Sequence, residues 1–286
     1  MSYTTVQAVK DAIGFAGWNS SITDPNIQTY IDLAEEEIEF IYKTKFGNVE
    51  QSGTASTGGT TTLTDATKTF VADAYVDYVL WIYAGTGSGQ YRPITTNSTT
   101  VLTVSPAFSP ATDITSKYRV VKLGYKNQDV TGTGRDIQFL DYQPLINLNS
   151  LTVDTTNITI STVYQWKNAG KIGLSNSSEA SSFTDAYPFK INVKYVYGVY
   201  PIPKTIVRLC TLFAGIRASA AQMGASYSSF NSISMPGGFS GSKGDQVTKL
   251  KAVADSLQSE ARDIVYGDPN NPLSLMGVYR PFINLG

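Results

Sequence analysis

Helical periodicity marks both ends of this chain and is lost over the long middle, and that interruption limits the folds open to it. Ile27, Ile31, Ala34, Ile38 and Ile41 recur at three- and four-residue steps, and the pattern stops near Gly47. It returns at Ile206 and again at Val247. Apolar residues at that spacing share one face of a helix. An α/β enzyme fold alternates helices and strands along the chain. Here the helices group together and the strands are inserted between them. That layout suits a scaffold that displays one part and docks through another, and it gives little reason to expect a reaction centre.

Residues 5–13 read as a short first helix with Val6, Val9 and Ile13 on one face, ended by Gly14 and Gly17. Thr23-Asp24-Pro25 opens the second: Asp24 can cap free N–H groups, and proline fits the first helical position. This helix is expected to run to about residue 45. Glu35, Glu36, Glu37 and Glu39 then form a solvated face or an acidic surface that meets a basic neighbour. From Gln51 the composition turns rich in Thr, Ser and Gly. Residues 78–83, 90–96, 99–104 and 117–123 read as strands because β-branched and aromatic residues dominate them, with Asn97-Ser98 as a tight turn. Residues 51–122 therefore read as a small β-barrel or sandwich. A second β stretch has its strands at 145–153, 164–166, 171–174 and 189–197, the last with Ile191, Val193 and Tyr195 alternating against Asn192 and Lys194.

Pro203 opens a third helix striped by Ile206, Leu209, Phe213, Ile216 and Ala220. Ala214, Gly215 and Ala218 are small enough to permit close helix approach, within the chain or between subunits. Residues 224–244 read as a mobile Ser/Gly-rich loop able to order on a partner. Val247, Leu250, Ala254, Leu257, Ala261 and Ile264 define a fourth helix spaced for a packed helix pair. After Gly267 the segment is unusually apolar for a terminus: Leu273, Leu275, Met276, Val278, Tyr279, Phe282, Ile283 and Leu285 stand among three prolines. Burying one Leu- or Phe-sized side chain is worth about 1.5–3 kcal/mol, so this tail is expected to leave water. It can fold back on its own domain or lie on another subunit or protein, and the intermolecular option is the favoured one.

Composition removes several chemistries. The 286 residues include no histidine, which excludes His-based nucleophile systems, His general bases and His metal ligands. The single cysteine, Cys210, lies in an apolar helical pattern and reads as a small buried hydrophobe. A formal net charge of −1 provides no global attraction for nucleic acid or an anionic membrane. No run approaches the ~20 apolar residues of a membrane span, and no signal peptide is evident. Synthesis in a cytoplasm and a soluble product are expected. Gly85-Thr86-Gly87-Ser88-Gly89 follows a strand, yet no Gly-Lys-Ser/Thr closes it and no helix pattern follows, so a hairpin loop is expected in place of a phosphate loop. Thr131-Gly132-Thr133-Gly134-Arg135 reads as a linker. Asp136, Asp141, Asp154 and Asp185 form no calcium-type cluster. No metal or cofactor is expected. The 18 tyrosines and 3 tryptophans could form a sugar-binding surface, although aromatics more often fill cores and interfaces.

Several short pieces follow one another in a telling order. Val6-Gln7-Ala8-Val9-Lys10 lies in the first helix, and Asp24-Pro25-Asn26-Ile27 leads into the Glu-rich second. Pro144-Leu145-Ile146, Leu151-Thr152-Val153, Tyr164 and Gly170-Lys171-Ile172 come next. Ile191-Asn192-Val193-Lys194-Tyr195-Val196-Tyr197-Gly198 and Ile202-Pro203-Lys204-Thr205-Ile206 complete the set. The succession of two helices, a β-segment ending in a V-x-Y-x-x-G strand, and two more helices resembles the head–tail connector, or adaptor, proteins of long-tailed bacteriophages. Residues 51–122 fall outside the resemblance and look like an added Thr/Gly-rich module.

The resemblance implies an α+β fold: a helical connector core of about four helices, with a β-segment and an inserted small β-barrel or sandwich module. Residues 1–50 would be the N-terminal helices of that core, 51–122 the inserted module, 123–266 the β-segment and C-terminal helices, and 267–286 an extended docking tail. It also implies a structural virion protein without catalysis, made in the host cytoplasm and placed in the neck of the particle. Such a protein forms a homo-oligomeric, usually twelvefold, ring beneath the portal. The ring joins a neck or tail-completion protein and lets double-stranded genomic DNA pass without sequence-specific binding. Leu273, Leu275, Met276, Val278, Tyr279, Phe282 and Ile283 would dock on the portal. Ala214, Gly215, Ala218, Leu250, Leu257 and Ile264 would serve subunit packing. The rival reading is a receptor- or carbohydrate-binding virion protein that uses residues 51–122. A carboxylate enzyme is the third class.

Overall fold

The computed structural model describes residues 2–14, 22–176, 178–183, 191–229 and 243–267. Among them the chain is mostly β, with fourteen strands in three antiparallel sheets of seven, four and three strands against four α-helices. The expected α+β class built around a helical core is therefore overturned. The excess strands come from segments such as Val49–Thr54, Thr57–Gly58 and Thr62–Thr64. Those segments carry too few apolar residues to show alternation and become strands because a neighbouring strand satisfies their backbone.

The chain divides into two compact units, one formed by residues 1–42 and 202–286 and the other by 43–201. The first contains α1 (Val6–Ala12), α2 (Asp24–Tyr42), α3 (Lys204–Ser229) and α4 (Lys243–Arg262), the last running into a π turn over Asp263–Gly267. Thr5 caps α1 by accepting from the Ala8 N–H at 3.1 Å. At α2 the Asn26 Oδ1 accepts from both the N–H and the Oγ1 of Thr23 at 3.0 and 2.7 Å, so the helix start is fixed one residue earlier than Asp24. Asp24 instead pairs with Lys10 at 2.5 Å. Ile27, Ile31, Ala34, Ile38 and Tyr42 bury the inner face of α2.

Helix α3 is the hub and packs against α1, α2 and α4. Its deepest face shares Ile206 and Leu209 with the expected stripe and then shifts toward smaller residues. Ile206, Cys210, Ala214 and Ala218 are fully buried, whereas Phe213 and Ile216 are half-buried and Ala220 is exposed. Small side chains at four-residue steps let three helices approach one axis, and the larger residues take the flanks. Arg208 holds Glu260 through two hydrogen bonds of 2.7 and 2.6 Å, which tie α3 to α4.

The second unit begins with a barrel. Its seven-stranded sheet has the order β1-β7-β4-β5-β6-β3-β2, with β1 at Val49–Thr54, β2 at Thr57–Gly58, β3 at Thr62–Thr64, β4 at Val79–Ala84, β5 at Tyr91–Asn97, β6 at Val101–Val104 and β7 at Lys117–Val121. The two outermost strands, β1 and β2, are separated only by Ala55 and Ser56. Ala55 donates to Ser116 O on one side and Ser56 to Thr64 O on the other. One bent segment thus forms both edges and closes the sheet on itself. Leu63, Leu80, Ile82, Ile94, Leu102 and Val120 fill the interior.

The remaining strands form a sandwich. A four-stranded sheet has the order β11-β10-β14-β8, from β8 (Gly124–Val130), β10 (Leu145–Val153), β11 (Thr156–Asn157) and β14 (Ile191–Tyr197). A three-stranded sheet has the order β12-β13-β9, from β9 (Ile137–Phe139), β12 (Val163–Trp166) and β13 (Lys171–Leu174). Leu148, Leu151, Val193 and Tyr195 of the first meet Val163, Ile172 and Leu174 of the second in one core, as facing sheets do. Barrel and sandwich share a smaller apolar seam of Val79, Val121, Leu123 and Val196.

The chain enters and leaves this unit side by side. Phe46 bridges Val199 in parallel, Gly47 donates to Val199 O at 3.0 Å and Val199 donates to Lys45 O at 2.8 Å. Gly198, the last residue of the V-x-Y-x-x-G run, makes this clasp fit. Its φ is +129°, and a Cβ there would stand 2.7 Å from Lys45 O.

Candidate functional site

Antiparallel register decides what the three-stranded sheet shows to solvent. Trp166 pairs with Lys171, which pairs with Phe139, and Tyr164 pairs with Gly173, which pairs with Ile137. Residues directly opposite on one face lie side by side, so these six share the outer face. The intervening Val163, Ile172, Leu174 and Gln138 point inward and are buried. Phe139, Tyr164 and Trp166 are exposed at 58%, 60% and 43%, which is unusual for three large rings on one short sheet.

The rings are ordered by their neighbours. The Lys171 ammonium lies 5.4 Å from the Phe139 ring centre and 5.6 Å from that of Trp166, a cation–π arrangement on both sides. Gly173 carries no side chain, so the Trp166 ring settles over its backbone; an added Cβ would fall 2.7 Å from the ring. Tyr164 stands 6.2 Å from Trp166 between ring centres, tilted by 44°. Beside them runs a groove of about 620 Å³, lined by Asp136, Ile137, Tyr164, Trp166, Gly173 and Asn176, among others. Among the described residues, the Asp136 carboxylate and the Asn176 amide make no side-chain hydrogen bond or ion pair. The face therefore combines flat apolar rings with uncommitted polar groups.

The barrel holds a second aromatic cluster of different character. Trp81 stacks on Tyr91 with centres 5.4 Å apart and planes 7° apart. Arg119 covers Trp81 and Tyr83 at 5.2 and 4.6 Å. Its rings are occupied by one another and by the arginine, and burial, followed by the nearby Tyr200, pushes the Tyr91 phenol up to about 12.

The Gly85–Gly89 stretch is the β4–β5 hairpin loop, and the amides of Thr86, Ser88 and Gly89 are already used. Thr86 N–H donates to Thr115 Oγ1 at 3.1 Å, while Ser88, Gly89 and Gln90 donate to Gly85 O, Ile82 O and Gly87 O. A phosphate cradle needs those N–H groups free. Among the described residues no three His, Cys, Asp or Glu side chains group to hold a metal ion, and no helix is long and apolar enough to cross a membrane. Asp136 borders the groove, Asp154 occupies the left-handed turn after β10 at φ +55°, and Asp185 lies outside the described residues.

The packing residues named from the sequence sit inside the helical unit. Ala214, Ala218 and Ile264 are fully buried and Leu257 nearly so. Leu250 is half-buried. A Cβ on Gly215 would stand 3.1 Å from Ile13 and 3.2 Å from Leu257. These residues close α1, α3 and α4 on one another within one chain. The docking residues Leu273, Leu275, Met276, Val278, Tyr279, Phe282 and Ile283 lie outside the described residues. Of the acidic face of α2, Glu35 accepts the Tyr3 N–H at 2.5 Å, Glu39 accepts the Tyr3 hydroxyl at 2.6 Å and Glu37 pairs with Arg217. The basic neighbour is thus the chain's own α3. Cys210 is buried, with its thiol toward Ile31 O at 3.9 Å. No protein-family model and no curated protein matches the chain.

Proposed function

We propose that this protein is a structural component of a phage particle, a head–tail connector that forms a ring beneath the portal, joins capsid to neck or tail and lets DNA pass. The observation that carries this reading is the clasp of Phe46 and Gly47 with Val199. It returns the chain to its starting point, so that helices from both ends gather in one unit and the β unit is a single insertion between them. A helical base that assembles and a β body that is displayed is the organisation such an adaptor needs. Closed symmetry requires self-complementary or head-to-tail patches on that base. Because Ala214, Ala218 and Ile264 are buried within one chain, lateral contacts fall to the outer faces of the helices, and portal docking falls to residues 267–286.

Particle imaging of purified full-length protein, alone and mixed with portal rings, tests the reading. Closed rings, or density seated on the portal, are expected, and truncation after Tyr266 should abolish seating while leaving the fold intact. A protein that stays monomeric and ignores the portal refutes the connector assignment, and unimpaired seating of the truncated chain refutes the docking role of the tail.

A further inference from the structure

We infer that the outer face of the β9-β13-β12 sheet is a carbohydrate site that takes a short, neutral oligosaccharide. The floor is apolar and shallowly angled: Tyr164 and Trp166 lie side by side with centres 6.2 Å apart and planes 44° apart. An extended sugar chain can therefore rest the C–H faces of adjacent rings across both. Aromatic rings suit such contacts because their faces are electron-rich and C–H groups are weakly positive. The wall is polar: Asp136 and Asn176 border the same groove, and among the described residues their side chains are uncommitted. A carboxylate and an amide supply the acceptors and the donor that hydroxyl pairs require. The volume of about 620 Å³ falls in the ~300–1,000 Å³ range of small-ligand sites.

Charge sets the ligand class. The gap between Phe139 and Trp166 is filled by the Lys171 ammonium, so the rings do not form a cage for an external cation. Asp136 on the groove wall opposes an anionic ligand and offsets Lys171, which leaves a neutral, hydroxyl-rich molecule as the best match. Gly173 is the specificity element of the floor, because any side chain there would lift Trp166 from the sheet.

The test uses full-length protein titrated with cellohexaose, maltohexaose and chitohexaose, read by tryptophan fluorescence and calorimetry. Saturable binding of at least one is expected, with affinity lowered at least ~10-fold (~1.4 kcal/mol) in W166A and in Y164A. The ring-preserving W166F should recover part of it, and D136N should weaken binding without abolishing it. Thermal melts matching the parent keep a folding defect from imitating a lost site. Failure of all three sugars to saturate at about 10 mM, or equal binding by parent and W166A, overturns the proposal. So does a sedimentation profile in which W166A dissociates a dimer, since the face would then serve a second copy of the chain.

Discussion

Replacing Asp65 by alanine should open the barrel at its seam. Asp65 follows β3 and is 1% exposed. It accepts from the Tyr118 hydroxyl at 2.8 Å and from Thr67 Oγ1 and N–H at 2.6 and 3.0 Å. Tyr118 lies on β7 and is fully buried. Strands β3 and β7 flank the bent segment that supplies both β1 and β2, so this hydrogen bond spans the line where the sheet closes. Asp65→Ala leaves a buried hydroxyl without an acceptor, at about 1–3 kcal/mol, and releases the Thr67 turn for ~1 kcal/mol more. Tyr118→Phe removes only the donor to Oδ2 while Thr67 keeps its two hydrogen bonds to Oδ1, so about 1–2 kcal/mol is expected. The two changes share one interaction, and the double variant should fall short of their sum by ~1–2 kcal/mol. Because the chain has two units, a global melt mixes them. Native-state hydrogen exchange at Leu102 and Val120 reads the barrel itself. A loss below ~0.5 kcal/mol in Asp65→Ala, or strict additivity of the pair, would mean that the seam is held by backbone pairing alone.

Two further outcomes follow from the same unit. Burial pushes the Asp65 carboxyl up, but hydrogen bonds from Thr67 and Tyr118 and the nearby Lys68 outweigh it and hold it below its ordinary value. A carboxyl depressed in the folded state contributes stability that is complete above the unfolded value of about 4 and lost as pH falls through the folded one. Barrel protection factors should thus be flat from about pH 7 to 5 and fall below about 4, and Asp65→Asn should shrink that fall; a variant with the parent's acid limb would refute the assignment. Asp73 and Asp113, held down by Thr96 and Thr115, add to the same window. Gly124→Val would drive a Cβ to 2.2 Å from the Tyr197 ring, which stacks on Tyr142 at 4.5 Å. A cost of about 1–3 kcal/mol is expected from overpacking, and an unchanged urea midpoint would show that the ring is free to move aside.

What was legible in the sequence follows from where apolar pattern and backbone demand agree. Helix α2 and strands β10 and β13 carry their own signal, since Ile27 to Ile38 recur at helical steps and Leu145, Leu148 and Leu151 reach a core on one side. Strands β1, β2 and β3 do not, because Val49–Thr54 and Thr57–Gly58 hold few apolar residues and are strands only through their neighbours. The helical core itself follows from the resemblance to connector proteins, which gives the flanking helices more weight than the fourteen strands between them. On α3 the apolar stripe holds through Ile206 and Leu209 and then parts from the buried line, because packing around an axis favours Ala214 and Ala218 over Phe213 and Ile216. The loop expected at 224–244 is helical to Ser229, and 230–242 lies outside the described residues. Tyr164 and Trp166 were placed on a strand, but their exposure depends on the opposite face meeting Leu148 and Val193 of another sheet. No local pattern carries that information.

The distribution of strand edges argues for where this protein can engage others. Closing the barrel through the 49–58 segment removes the free edges that invite unwanted pairing. In the sandwich, edge strand β8 carries Lys126, Asn127 and Asp129, and Asn192 donates to the side chains of the latter two at 2.9 and 2.7 Å. Charged and hydrogen-bonded side chains along an edge discourage addition of a further strand. Neither the closed barrel nor the β8 edge is therefore built to recruit a partner through its backbone. The three-stranded sheet differs, because its outward surface is made of rings that water solvates poorly and that no other described element covers. Retaining Phe139, Tyr164 and Trp166 there forgoes burial worth roughly 1.5–3 kcal/mol per large apolar side chain. Recognition through side chains on this face is therefore the mode of engagement that the described strand edges leave open.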